Sequence, residues 1–566
     1  MLVNIFPKRK VKQMTKSNFN YKKLLLSIGI GLVLSFAVYY IVLPPINPHS
    51  KSFWIYLAFC IFSYTIPYIG FKVVKIQKKA PKGRGYFNTL TVQAKNDGKA
   101  KFFVVGAILL PVAIAILGSI FSSTFFFAKK YASIIDVTES EFKTDMPETH
   151  EITNIALMDT SSASMLGNRE LGALSHVVSQ YDLSDYYTQI NYHGTPQKVA
   201  NLEYDGFFKW INNCKSGIPG MVMVDPVKSD ADYIEFENPM FYADSAYFSQ
   251  DLTRKLRFDY PTKIFHNISF EVDESGNPYY IVSCATAKIS LFGAMDINEV
   301  IVFDPTTGES ELYAVEDVPA WIDIVYDGYL ASEKYNWQGT LSGGFINSII
   351  GNKGCKITTD DFGYIARDDD VWYFTGVTSV SGDKSNIGFI LSNARTGEYK
   401  FYPVIGAEEH SAMSAAEGEV QEKGYVSSFP SLVNISGQAT YIMVLKDNAG
   451  LVKLYALVNV ENYSIVATGS TQAEAMSSYK KLLTQNNLVA GDSDSEVEIT
   501  VENVRIAMVA DVATLYITDT DGNVYKGYLE ADEELILIRT GDRIKVKCTS
   551  SEHNKIFIIS SWSFAE

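Results

Sequence analysis

Among the side chains able to do acid–base, nucleophilic or metal chemistry in these 566 residues are 64 carboxylates, seven histidines and five cysteines. Their spacing decides what they can do. No HExxH metal pair, GxSxG nucleophile elbow or phosphate-cradling P-loop occurs in the chain. His176, His193, His266 and His410 fall in different segments. Glu408-Glu409-His410 sets three ligand-type side chains in a row. Acids at that place read instead as the solvated first turn of a helix, where carboxylates meet the positive end of the macrodipole. Asp360-Asp361 and Asp368-Asp369-Asp370 flank Phe362–Arg367 and offer the hard oxygens that calcium prefers. They lack a ladder of alternating ligands closed by a glutamate, and read as Asp-rich turns. Asp519-Thr520-Asp521-Gly522-Asn523 matches half an EF-hand loop, but its glycine comes two positions early. It too reads as a turn. Cys60 sits in an apolar run. Cys214, Cys284, Cys355 and Cys548 form no CxxC and no zinc spacing, and nothing selects among their three possible pairings. The expectation is no catalytic residue, no metal and no cofactor.

Binding chemistry is better represented. Trp210, Trp321, Trp337 and Trp372 stand among 35 tyrosines. Core and cross-strand packing accounts for most such rings; a groove for a peptide or glycan is the functional alternative. Lys78, Lys79, Lys82 and Arg84 form a basic cluster that suits anionic lipid headgroups.

The elements that must position these residues divide sharply. Three runs carry no charge: Leu24–Val42, Phe53–Phe71 and Phe102–Phe127. A helix of roughly 20 apolar residues crosses the hydrocarbon of a bilayer, so each run is expected to span it. The first run is too long for a signal peptide and ends in Leu43-Pro44-Pro45 without a cleavage pattern. Residues 1–23 hold seven Lys/Arg and no acid, and residues 72–101 hold nine against Asp97 alone. Basic loops stay cytoplasmic, which places the N-terminus inside and everything after the third run outside. Lys129-Lys130, just beyond that run, goes against the rule. Residues 132–566 carry 30 basic and 63 acidic side chains, a balance that disfavours nucleic acid as a partner.

Past residue 131 the chain turns to short alternating segments broken by Gly, Pro, Asn and Asp, the pattern of strands and turns. One unit recurs: an apolar strand reaching Asp or Asn, a turn, and a returning strand. Its anchors are Asp225, Asp304, Asn393 and Asn459, spaced 79, 89 and 66 residues apart. In the second and third copies glycine, Gly308 and Gly397, supplies the positive φ of the turn. Helices are expected at Ser161–Tyr181, after Pro319 (carrying Trp321, Ile322, Val325 and Tyr329), at Ala407–Gln421, and at Thr471–Leu483 behind a capping box.

A VDPxTGE-type hairpin after a Tyr-Tyr strand, as at Tyr279-Tyr280 and Val302–Glu309, resembles the PepSY module of bacterial envelope proteins. The wider pattern is similar to bacterial multi-helix membrane proteins with PepSY-like extracytoplasmic repeats and no established activity. Phe207-Phe208-Lys209-Trp210, Gly217-Ile218-Pro219-Gly220, Asn277-Pro278-Tyr279-Tyr280, Ser385–Phe389, Gly418–Gln421 and Leu445–Lys453 carry that likeness, over roughly residues 150–485. The resemblance implies a fold and no functional residue.

Residues 486–495 read as a polar linker. Residues 496–566 read as six or seven strands, including Leu535–Arg539, closing a small barrel of OB or SH3-like type. The fold class is thus three transmembrane helices within residues 1–131 (about 24–42, 53–71 and 102–127), an α+β extracytoplasmic region of PepSY-like repeats over 132–485, and a small all-β barrel. The functional expectation is a non-enzymatic, membrane-anchored binding or scaffolding protein of the bacterial cell envelope. Its partners would be membrane lipids and an envelope protein, peptide or glycan. The alternatives are an envelope hydrolase whose site assembles only in three dimensions, and an accessory subunit of a transporter or sensor.

Overall fold

The computed structural model describes residues 21–73, 98–149, 155, 157–367, 370–380, 385–448, 450–486, 488, 495–509, 512–529, 532–550 and 556–565. It divides into two units: residues 1–123 with 253–264 and 287–295, and residues 124–252 with 265–286 and 296–566.

In the first unit the apolar runs form helices α1 (Tyr21–Val42), α2 (Lys51–Val73) and α3 (Gly98–Phe121). Two stretches, Leu24–Val42 and Phe102–Phe121, are long and apolar enough to cross a membrane. Helices α1 and α2 meet where Gly31 has no side chain: a Cβ there would lie 2.3 Å from the Tyr64 ring. Ser35 and Ser63 hydroxyls bond at 2.9 Å across the same seam, the small-residue contact that lets apolar helices approach. The third run was expected to continue to Phe127, but α3 ends at Phe121. Ser122 Oγ there accepts the backbone N–H groups of Leu291 and Phe292, both at 3.1 Å, and a turn follows.

The second unit begins with α4 (Thr124–Ala132), kinked at Phe127, and a short turn, α5 (Phe142–Asp145). Helix α6 (Thr160–Ala173) starts at Asp159, whose carboxylate accepts the Ser162 N–H. It was expected to run to Tyr181, yet α7 (Ser175–Val178) is a separate turn and Tyr181 opens a strand. Helices α8 (Phe207–Asn213) and α9 (Leu252–Asp259) follow, the latter belonging to the first unit from Thr253 on. The helix expected after Pro319 begins only at Gly328, as α10 (Gly328–Leu341), because the Asp327 carboxylate caps Tyr329 and Leu330 there. Residues 323–326 bond elsewhere instead: Asp323 and Ile324 donate to Glu271, and Val325 and Tyr326 donate to the Ala394 carbonyl. Helices α11 (Glu409–Glu419) and α12 (Gln472–Gln485) complete the set, the latter with Thr471 accepting the Glu474 N–H as the capping box requires.

Four mainly antiparallel sheets carry these helices. In the second sheet Ser310–Ala314 pairs back onto Gly293–Phe303. In the third, Asp370–Ser379 pairs with Ser385–Asn393, and Val137–Glu139 joins the edge in parallel. The third sheet shares one core with the fourth, which is built on Ser431–Ile435, Gln438–Lys446, Val452–Asn459 and Val466–Gly469; in it Phe374, Phe389 and Tyr402 meet Tyr441, Met443 and Val458. Helix α12 covers the far face of the fourth sheet through Ala475, Tyr479 and Leu483. Two hairpin turns have the same bonds. Asp304 Oδ1 accepts Thr306 N–H at 2.7 Å and Gly308 N–H reaches the Asp304 carbonyl at 2.8 Å. Asn393 Oδ1 accepts Arg395 and Thr396 N–H at 2.9 Å, and Gly397 N–H reaches the Asn393 carbonyl at 3.0 Å. Gly308 has φ +79° and Gly397 φ +74°.

At the C-terminal end, Ser495–Val509, Val512–Asp519, Val524–Tyr528, Ile556–Phe564 and Arg543–Ser550 pair in that order and close a barrel. The first strand bends at a bulge between Val501 and Asn503 and pairs with two neighbours in turn. Leu535–Arg539 was expected to be a strand. Glu533–Leu537 is instead a 3₁₀ turn whose Leu535, with Ile538, plugs the core. Most of the expected linker lies outside the described residues.

Candidate interaction surface

Strand Thr195–Tyr204 ends at Asp205-Gly206, where Gly206 takes φ +83° and turns the chain into α8. Only glycine adopts that conformation cheaply. Helical spacing then puts Phe207, Trp210 and Ile211 on one face. Tyr247 and Phe248 come up against them from the turn at Phe248–Gln250. Phe207 stacks on Trp210 with centroids 5.8 Å apart and meets Tyr247 edge-on at 5.0 Å; Trp210 lies 5.6 Å from Phe248. Trp210 is locked, its Nε1 donating to Gln250 Oε1 at 3.0 Å while Gln250 Nε2 donates to the Cys214 carbonyl at 3.0 Å. The surface is nevertheless open: Phe208 is 79% and Phe248 55% exposed. A rigid cluster of large rings facing water is the composition of a protein–protein anchor site.

The other three candidate tryptophans do not join it. Trp321 lies 5.1 Å from Tyr279 and Trp337 meets Tyr131 edge-on at 5.0 Å. Trp372 is buried, and its ring faces Arg367 and Lys400 instead of solvent. Those cations belong to an ion-paired knot. Arg367 Nη1 donates to Asp145 Oδ2 at 3.1 Å and to Tyr402 Oη at 3.0 Å, Lys400 reaches Asp145 at 3.3 Å, and Tyr402 donates to Asp145. Arg367 holds the Asp145 carboxyl down at about 2. The four candidate tryptophans thus lie in separate contacts, with Trp210 alone of them in the exposed ring cluster. Lys78, Lys79, Lys82 and Arg84 lie outside the described residues.

The acidic clusters divide in the same way. Glu408 is the solvated cap expected, accepting Ser411 and His410 N–H. Glu409 is not solvated: it is buried, its Oε1 accepts the Gly376 N–H at 2.6 Å, and burial pushes its carboxyl up to about 7. The reason is register, since helix α11 turns this one acid onto the third sheet. Asp370 is engaged with Asn393 and Arg395 at 2.8 and 2.7 Å. Asp519 accepts the Asp521 and Asn523 N–H groups, the Asn523 amide and the Tyr525 hydroxyl, and so closes its own turn.

Two buried polar groups, Lys198 and Glu271, and one exposed pair, His266 with Asp327, went unseen in the sequence. Lys198 is buried, with its ammonium 5.1 Å from the Tyr364 ring. Glu271 is fully buried and accepts from Asp323 N, Ile324 N and Ser269 Oγ at 2.8, 3.2 and 3.1 Å; burial raises it to about 7. His266 bonds Asp327 at 2.7 Å, which raises its pKa. Lys198 and Glu271 lie on alternating strands where a polar residue normally faces water, and only the pairing of sheets turned them inward. A cleft of about 420 Å³ is lined by Glu139, Glu141, Lys143, Val404 and Glu461. All of its charged groups are exposed, so water solvates them.

In the first unit, segments 253–264 and 287–295 pack on the helix ends. Arg254 Nε donates to the Tyr40 carbonyl at 3.3 Å and Arg257 Nε to the Leu43 carbonyl at 3.0 Å. Phe258 packs edge-on against Tyr39 at 5.7 Å. Ile46 N–H reaches the Pro261 carbonyl at 2.6 Å, and His49 Nδ1 lies 2.9 Å from the Leu291 carbonyl. In comparisons with known proteins, no family model and no curated protein matches the chain.

Proposed function

We propose that this chain is a membrane-anchored extracytoplasmic binding and scaffolding protein of a bacterial cell envelope, and not an enzyme. The single observation that carries the binding reading is the rigid, water-facing ring cluster of Phe207, Phe208, Trp210, Tyr247 and Phe248. It fits an apolar anchor from an envelope protein or peptide.

Topology supports the setting. The end of α1 is held by α9, and the end of α3 by Leu291 and Phe292. Both contacts come from segments that follow residue 131 in the chain, which supports placing these two ends on one side of the membrane. The basic stretches 1–23 and 72–101 adjoin the opposite helix ends, the cytoplasmic arrangement that the charge rule favours. In this reading α2 also crosses, and three spans put the region after residue 131 outside. The matching bonds at Asp304 and Asn393 support a repeated, PepSY-like hairpin unit. The barrel order, with its third and fifth strands parallel, supports the OB type over the SH3 type.

A photo-reactive phenylalanine at position 208, used in intact membranes, tests the binding reading. A discrete cross-linked product that Phe248→Asp abolishes is expected. Finding only the background given by the same label at exposed Thr396 would overturn it.

A further inference from the structure

Between Lys334 and Lys353 the chain runs 18 residues without a charge, inside a region otherwise rich in acids. Helix α10 occupies the first part. Beyond it Gly344 takes φ +86° and the chain winds into a short helical turn at Asn347–Gly351. The polar groups of this turn bond one another. Asn347 Nδ2 donates to the Lys353 carbonyl at 3.0 Å, Lys353 N–H returns to Asn347 Oδ1 at 3.1 Å, and Asn352 N–H reaches the Asn347 carbonyl at 2.6 Å. What the turn presents outward is aliphatic: Ile346, Ile349 and Ile350 are 74%, 60% and 81% exposed. Such a patch is unfavourable in water and marks a contact surface.

Its neighbours say what covers it. Phe345 meets Phe125 edge-on with centroids 5.1 Å apart, and Phe125 meets Phe126 at 4.9 Å. The Tyr131–Trp337 contact at 5.0 Å fastens α4 to α10. Phe125 is four residues beyond Phe121, the last residue of α3, so at most about 14 Å of extended chain separates it from that helix. The patch is thus tethered, through Phe125, within a few residues of the end of a helix suited to lipid. Around it stand exposed Lys129, Lys130 and Lys353, cations in a strongly acidic region. They have the reach to lie among headgroup phosphates while the aliphatic chains go deeper. That also accounts for Lys129-Lys130 against the orientation rule.

We propose that Phe345, Ile346, Ile349 and Ile350, with Phe125 and Phe126, insert into the outer leaflet as a lipid-embedded foot of the extracytoplasmic region. The assignment rests on the reading of α3 as a membrane span. The foot would fix the orientation of the region against the bilayer, which a helix joined through a Ser-Ser turn alone would leave free.

The test uses the full chain in nanodiscs of phosphatidylcholine and phosphatidylglycerol, with Cys60→Ser and Cys214→Ser; the other three cysteines are buried. An environment-sensitive fluorophore is placed at Ile349→Cys, and in parallel at Ile346→Cys in case one label disturbs the turn. A third label at Leu110→Cys reports on α3, and a fourth at Thr396→Cys on water. Labels at 346 and 349 are expected to lose emission to doxyl-bearing lipid and to be spared by aqueous iodide, as at 110. Quenching of both by iodide and not by lipid would overturn the foot, and so would protection from both quenchers, which means a covering protein. A label at 110 that lipid fails to quench would instead overturn the span beneath it.

Discussion

The ammonium of Lys198 lies 5.1 Å from the centre of the Tyr364 ring, and among the described residues no carboxylate forms an ion pair with it. Burial lowers it to about 8, against about 10.4 for a free lysine. The unfolded chain therefore binds more protons between those values, and stability rises with pH across that window. Below it the full penalty stands. Lys198→Met is expected to stabilise the protein by about 2–3 kcal/mol at pH 7 and to abolish the rise toward pH 10. Thermal unfolding of the full chain at both pH values checks this; a destabilised variant would mean that the ammonium is paired in solution.

Glu409 runs the other way. Its carboxyl titrates at about 7 in the fold and at about 4.3 when unfolded. The native state binds more protons in between, so stability falls as pH rises from about 4.3 through about 7. Glu271, also at about 7, adds a second contribution of the same sign. Glu409→Gln keeps an oxygen for the Gly376 N–H. It is expected to raise stability at pH 8 by about 2 kcal/mol and to remove roughly half of the acid-side slope. Unfolding midpoints from pH 4.5 to 8 decide it; an unchanged slope would be fatal.

Three turn glycines should rank by what surrounds them. Gly522 has φ +80° with open space, so Gly522→Ala meets only backbone strain, about 1 kcal/mol. At Gly397 a Cβ would lie 2.9 Å from the Tyr326 ring, and at Gly308 2.5 Å from the Tyr242 ring. Losses of about 2 and about 3 kcal/mol are expected as those rings move. Equal losses at all three would show that the rings are not held.

Arg257 is buried and donates to the carbonyls of Leu43, Tyr260 and Lys263. Arg257→Leu removes the guanidinium that these carbonyls share and should cost about 2 kcal/mol. Hydrogen exchange across residues 252–259 is expected to quicken while α12 keeps its protection. Uniform acceleration would mean that the two report one cooperative unit.

Protease added to intact cells with a permeable wall should remove the region after residue 131. Cleavage within residues 72–101, with the acidic region spared, would invert the orientation.

Local chemistry in the sequence determined three apolar helices, the charge asymmetry about them, hairpins at Asp304 and Asn393, and the caps at Asp159 and Thr471. Each depends on residues within a few positions of one another, where periodicity and hydrogen-bonding side chains suffice. Contacts between distant segments decided the rest. Ser122 stops α3 because Leu291 and Phe292 reach it, about 170 residues away in sequence. The Pro319 helix gives way because Glu271 and Ala394 bind its backbone first. Trp210 is half-buried in a surface cluster and Trp372 is sealed, although both are tryptophans among aromatic neighbours. Burial is a property of where sheets and helices pack, and no local pattern carries it. For the same reason Glu409 could be read as an acid of a first helical turn but not as a buried one.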